Sequence, residues 1–327
     1  MFYYLGSPHV HGVLFLDIPR IVKAELEKGN QIFKHLEEAF AACAESRVPD
    51  NNETSAIEAF VDKFMTCSLR NPSTRKIATT VQHHHHTFTC RKRSSKCRFN
   101  FPRFPSLYTQ VAIPLRLQFG EDDEEGKRKE MMKTRVVLHK VREILEDDER
   151  MDEVNIMYQE EIEEIIAAND LSMRAKHILE DGVFKKQILD YSTDFNGEET
   201  NDNPDLGKSL IQNLIVFEEE HAENFKLLEK EDYSYRKERL LQVLRMADIE
   251  KDLDIPEDLN FEEKEKQLIV KYHEILRNSV KGFTIVLKRD TNECFINNFN
   301  HEWLACWNAN IDVSVVFDFF AILTYVR

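Results

Sequence analysis

No stretch of this chain stays apolar for long. The longest candidate, Val313–Val326, is interrupted by Asp318 and falls short of the ~18 residues that suggest a membrane-spanning helix. The opening Met1-Phe2-Tyr3-Tyr4-Leu5-Gly6 has neither a basic start nor a long apolar segment, so no signal peptide is expected there. Basic residues are in deficit. The 44 Lys and Arg face 59 Asp and Glu, a net charge of −15, which excludes a uniformly basic nucleic-acid-binding protein. A nucleotide-phosphate loop is missing, because no Gly-x4-Gly-Lys-Ser/Thr pattern occurs. No internal repeat is present. The cysteines are few and scattered, at 43, 67, 90, 97, 294 and 306. Without a secretory signal they read as reduced thiols, with one pair suited to a metal.

What is present is enough for a core. Hydrophobic residues make up 42% of the 327 positions, and that length fits two domains or one domain with large insertions. The charge is unevenly spread. Segments 121–166 and 189–266 carry most of the acid, whereas 70–103 is basic through Arg70, Arg75, Lys76, Arg91, Lys92, Arg93, Lys96, Arg98 and Arg103. Residues 19–70 read as mostly helical, with a break at Pro49-Asp50-Asn51-Asn52. Residues 71–120 read as irregular. Residues 121–280 are strongly helical: Val137, Leu138, Val141 and Leu145 share one helical stripe, and so do Val154, Met157, Tyr158, Ile162 and Ile165. Tyr191–Gly207 reads as a loop. Strand character returns over 283–300 with Phe283-Thr284-Ile285-Val286-Leu287, and 301–326 reads as a helix with Trp303, Leu304 and Trp307 on one face.

Three patterns carry chemistry. The first is Pro8-His9-Val10-His11 followed by Gly12-Val13-Leu14-Phe15-Leu16. On a strand, side chains two apart share a face, so His9 and His11 either hold a divalent cation together or are two surface histidines at a strand end. The second is His83-His84-His85-His86-Thr87-Phe88-Thr89-Cys90, then Cys97. One selection from it, His84, His86, Cys90 and Cys97, is a ligand set for tetrahedral Zn2+; the alternative is a His-rich loop with two unrelated thiols. The third, Glu218-Glu219-Glu220-His221, has half of a di-iron motif. Its second half is missing, because Arg174 and Val270 stand three residues before His177 and His273. It reads as a solvated acidic helix face, as do the runs at 121–125 and 160–164.

Taken in order, these pieces resemble the replication-initiator (Rep) region of Helitron transposases, the Helitron helicase-like domain of HUH endonuclease type. The matching residues are Pro8-His9-Val10-His11 with its apolar strand and the His/Cys cluster ending Cys97-Arg98-Phe99-Asn100-Phe101-Pro102. Later come Leu287-Lys288-Arg289, Asn297-Asn298-Phe299-Asn300, Ala309-Asn310-Ile311-Asp312 and a final segment with Tyr325. The resemblance touches both ends and the middle. It selects His84, His86, Cys90 and Cys97 from the cluster as zinc ligands, with His83 and His85 as extras. It implies His9 and His11 as ligands of a catalytic Mg2+ or Mn2+, with a third ligand unassigned. Tyr325 is then the nucleophile that cuts single-stranded DNA, leaving a 5′-phosphotyrosine and a free 3′ hydroxyl. Arg91, Lys92, Arg93, Lys96 and Arg98 are the implied DNA contacts. Phe299 replaces the family's Tyr, and a second tyrosine would fall four residues after Tyr325, beyond Arg327. The strand ahead of the His-x-His motif and the helicase part of the polypeptide are not seen, so the expectation is a fragment, or a decayed or domesticated copy.

The expected fold is α+β. A small antiparallel sheet carries the His-x-His strand, with a large helical insertion and a C-terminal tyrosine helix. The division is 1–80 for the N-terminal Rep-like part, 81–120 for the zinc segment, 121–280 for the acidic insertion and 281–327 for the C-terminal strand and helix. A nuclear location and no membrane partner follow from the resemblance and the composition. Two other readings stay open: an inactive remnant that binds DNA or protein through its basic segment, and a helical interaction protein that uses its acidic middle.

Overall fold

The computed structural model describes residues 16–91, 97–120, 122–156, 216, 219–223, 233–279, 281–307 and 309–317. The chain folds as α+β, with helices dominating and a small sheet of three short strands in the order β2-β1-β3. β1 is Gln110–Pro114, β2 is Asn278–Ser279 and β3 is Thr284–Val286. β1 pairs antiparallel with β3, Val111 opposite Ile285, and parallel with β2, Ile113 opposite Asn278. All five residues of β1 are buried. This strand lies inside the 71–120 segment read as irregular. Its signal is short and is closed by Pro114, whose missing N–H ends the ladder.

The N-terminal helices follow their start and stop signals. α1, Ile18–Glu27, is capped by Asp17, whose side chain accepts from Arg20 N, and carries Pro19 in its first turn. α2 is Leu36–Ala44. α3, Asn51–Phe64, begins at the Pro49-Asp50 break with a capping box. There Asp50 accepts from Asn52 N and Glu53 N, while Glu53 accepts from Asp50 N. Glu53 also takes both guanidinium nitrogens of Arg47, at 2.8 and 2.6 Å. Glu25, at the end of α1, reaches Lys63 of α3 at 2.7 Å. That bond, with those from Asn30 and Lys28, holds its carboxyl down to about 2. The three helices bury Val22, Phe33, Leu36, Ile57, Phe60 and Val61 together with Val111, Leu287, Ile296 and Phe299 from the sheet side.

A second core lies in the helical middle. The long helix Glu124–Leu145 supplies Val137, Val141 and Leu145, three positions of the stripe legible in sequence, while Leu138 is only partly buried. They pack with Val154, with Leu240, Leu241 and Leu244 of a helix over 233–246, and with Leu268, Ile269 and Tyr272 of the helix Phe261–Arg277. The rest of the second stripe, Met157 to Ile165, and the expected loop at 191–207 lie outside the described residues. Glu219 and Glu220 are exposed on a helical stretch, as a solvated acidic face would be.

The C-terminal segment differs from its sequence reading. Among the described residues its helix runs over His301–Trp307. Leu304 is buried and Trp303 is exposed, so the two do not share a face. From 311 to 317 the chain is extended. Ile311, Val313, Val315 and Phe317 pack on the first core, and the intervening residues are exposed. That is the period of two of an extended chain, and the β-branched residues favour it over a helix. Among the described residues, no helix is long and apolar enough to cross a membrane.

Candidate metal centre

The four consecutive histidines settle into extended backbone, and its alternation sorts them. His83 makes an isolated antiparallel bridge with Ile296. His84 N donates to Phe295 O at 2.7 Å, and Asn297 N donates to Gln82 O at 2.9 Å. Side chains two apart along such a segment project to one side. The His83 and His85 rings lie 4.5 Å apart, with His83 stacked on Phe295. His84 and His86 belong to the other pair and meet the two thiols. His84 Nε2 is 3.3 Å from Cys97 Sγ, and His86 Nδ1 is 3.6 Å from Cys90 Sγ. One donor atom from each of His84, His86, Cys90 and Cys97 fits within 4.8 Å of every other, so the four side chains can hold a metal ion.

Each ligand is held by something other than the ligand set. The His84 ring stacks on Phe101 at 4.3 Å and 10°. Phe101 forms a small apolar floor with Cys90, Cys97 and Phe295. Cys90 sits in the one-turn helix Phe88–Arg91, where its sulfur accepts from Thr87 N at 3.2 Å. Arg98 N donates to Cys90 O at 3.0 Å, tying the two cysteine strands together, and Arg103 N donates to Cys294 O at 2.7 Å. Burial, followed by the neighbouring His86, pushes the His84 imidazole down to about 4. The ring is therefore neutral at pH 7, the form that ligates. Burial also lowers His86. Its Nδ1 is the nitrogen that faces Cys90 Sγ, while its Nε2 is buried without a hydrogen-bond partner among the described residues.

The motifs further along the chain are occupied with one another. Arg289 is 4% exposed and donates to Glu293 O, to Ile296 O at 2.8 Å and to Asn298 Oδ1 at 2.7 Å. Asn297 donates to Asn310 Oδ1 at 2.8 Å, Val313 N donates to Asn298 O at 3.0 Å, and Asn300 donates to Phe64 O at 3.0 Å. The Leu-Lys-Arg strand, the Asn-rich turn and the Ala-Asn-x-Asp segment thus form one hydrogen-bonded clasp. Its 295–297 edge is the ledge on which His83 and His84 lie. Asp290 anchors the clasp from beneath, bonded to Arg239 at 3.0 and 2.5 Å and to Arg70 at 2.9 Å. These bonds hold its carboxyl below the usual range against the opposing effect of burial. Sequence reading found the clasp's residues but not this hub. Arg239 and Asp290 stand 51 positions apart in segments with no shared motif.

Of the remaining candidates, Arg91 is half-buried and Arg98 is exposed, with the Arg98 guanidinium 4.5 Å above the Phe99 ring. Lys92, Arg93 and Lys96 lie outside the described residues, and so do His9, His11 and Tyr325. Comparison of the chain with family models, curated proteins and solved structures finds no match.

Proposed function

We propose that this chain is a Helitron Rep-like DNA-processing protein in which His84, His86, Cys90 and Cys97 hold a structural Zn2+ and so fix a basic segment for contact with single-stranded DNA. The observation that carries the reading is the convergence of those four side chains within 4.8 Å. They are the four that the family pattern selects out of a longer run of histidines. The donor set and the spacing both suit zinc. With Zn–S of ~2.3 Å and Zn–N of ~2.0–2.1 Å, a tetrahedron places a nitrogen and a sulfur ~3.6 Å apart. Two of the four N···S separations are 3.3 and 3.6 Å, and all four donor atoms lie within 4.8 Å of one another. A bound zinc would cross-link a segment whose apolar support, among the described residues, is the small floor of Cys90, Cys97, Phe101 and Phe295.

The nuclease part of the proposal rests on the resemblance alone. In it, His9 and His11 would hold Mg2+ or, with two imidazoles, preferably Mn2+, and such a cation would supply charge withdrawal from the scissile phosphate. The Tyr325 oxygen attacks phosphorus, the bond to the 3′ oxygen breaks, and the proton released by the phenol passes through solvent to that departing oxygen. The products are a 5′-phosphotyrosine and a free 3′ hydroxyl.

The test is a covalent-adduct assay. The protein is mixed with labelled single-stranded DNA and Mn2+, resolved on a denaturing gel, and compared with Tyr325→Phe and His9→Ala. The expected result is a shifted band that both variants lose. No band, with DNA still retained on a filter, leaves a DNA-binding remnant and ends the nuclease claim. No band and no retention ends the DNA reading and favours an interaction protein acting through its acidic helices.

A further inference from the structure

The surface beside the metal centre has two aromatic rings that the fold leaves in solvent. Phe88 is 78% exposed and Phe99 is 44% exposed. An apolar ring gains from leaving water; Phe99 has the Arg98 guanidinium 4.5 Å from its centroid and is otherwise nearly half in solvent, and Phe88 is mostly in solvent. Both rings belong to the metal-bearing segment. Phe88 precedes the ligand Cys90 by two residues on the same short helix, and Phe99 follows Cys97 by two. Phe99 meets the His84 ring in an edge-on contact at 5.8 Å, and the bond from Arg98 N to Cys90 O links the two segments. Both rings therefore belong to residues two positions from a thiol of the candidate metal centre.

Charge identifies what they meet. Between 91 and 98, five of eight residues are Lys or Arg: Arg91, Lys92, Arg93, Lys96 and Arg98. The chain as a whole carries −15. An aromatic pair flanking the most densely cationic stretch of an acidic protein is complementary to a polyanion that also offers flat apolar faces. Single-stranded nucleic acid has both, with phosphates for the guanidinium groups and bases for the rings. A lipid surface is the weaker fit, because an interfacial helix needs a long apolar face, and Phe88–Arg91 is a single turn.

We propose that Phe88 and Phe99 are base-stacking residues for single-stranded DNA on the surface organised by the metal centre. The proposal rests on the single-strand-binding reading above and adds the residues that would carry it. Stacking is worth ~1–3 kcal/mol per base, so each truncation should weaken binding by ~5- to 150-fold.

The test measures fluorescence anisotropy of a labelled thymidine oligonucleotide, and of an abasic oligonucleotide of equal length, against the full-length protein. Phe88→Ala and Phe99→Ala are compared with Phe88→Trp and Phe99→Trp, and the zinc content of each variant is measured. The expected result is a loss of about tenfold or more for each alanine variant on the oligonucleotide with bases. Little loss should appear on the abasic one, affinity should return with tryptophan, and zinc content should hold. If both alanine variants bind the two probes as wild type does, stacking is refuted while the DNA reading stands. If wild type binds neither probe, both readings fall. Binding to anionic phospholipid vesicles without binding to DNA would overturn the proposal in favour of a membrane surface.

Discussion

Acid should weaken this fold at one identifiable ring, His273. It is 2% exposed and lies under Tyr108, ring centroids 4.3 Å apart. Its two nitrogens have opposite duties. Nδ1 donates to Ile269 O at 2.8 Å, and Nε2 accepts from Leu107 N at 3.1 Å. A carbonyl can only accept and an amide N–H can only donate, so the neutral ring with its proton on Nδ1 satisfies both partners. A second proton on Nε2 would face the Leu107 N–H. Burial pushes the ring down to about 4 from an ordinary 6.5, with the Ile269 bond opposing. The sign follows: below pH 6.5 the unfolded chain takes up a proton that the folded ring refuses, so stability is lost as pH falls through that window, until about pH 4. The whole gap is worth about 3 kcal/mol, of which about 2 kcal/mol should be gone by pH 5. Urea unfolding from pH 8 to pH 4 on wild type and His273→Gln isolates the effect, since carboxylate losses and metal release are common to both and cancel in the difference. Wild type should begin more stable and converge on the variant below pH 6.5. Curves that stay parallel throughout would refute the buried, neutral assignment of this ring.

Three other outcomes follow from the contacts described. Asp290→Ala leaves Arg239, 2% exposed, without its carboxylate and should cost about 3–5 kcal/mol; Asp290→Ala/Arg239→Met should recover part of it, as measured by chemical denaturation. Asp50→Ala removes the acceptor for Asn52 N and Glu53 N and should cost about 1 kcal/mol, read as a lowered denaturation midpoint with an unchanged slope. Purified protein should contain one zinc per chain by mass spectrometry, and Cys97→Ser should lose it. A tetrahedral cobalt-thiolate spectrum on substitution should likewise vanish in that variant.

The clearest part of the sequence was where local chemistry acts alone. The Pro49-Asp50 break became a capped helix start because a carboxylate at that position satisfies free N–H groups whatever the rest of the chain does. The stripe of Val137, Val141 and Leu145 became a buried face because helical spacing is fixed by the backbone. The His/Cys set was one selection open in the sequence and was singled out by the resemblance; the structure pairs His84 and His86 with the thiols and sets the His83 and His85 rings together.

Distant partners decided the rest. β1 was hidden because its five residues gain strand character from β2 and β3, more than 160 positions downstream. The helix expected through 326 gave way to extended chain over 311–317, where the first core offered Val313 and Val315 a surface of period two. Arg289 looked like part of a chemical motif and proved to be a buried clamp on a turn. The sequence by itself determined where helices start, which helical stripes are apolar and that a run of His and Cys offers ligands for a metal, because these depend on neighbours within a few residues. Only the tertiary structure decided the strand pairings, the Asp290 hub and the approach of the two thiols to the two imidazoles, because each joins groups that share no local signal and meet only when the cores close.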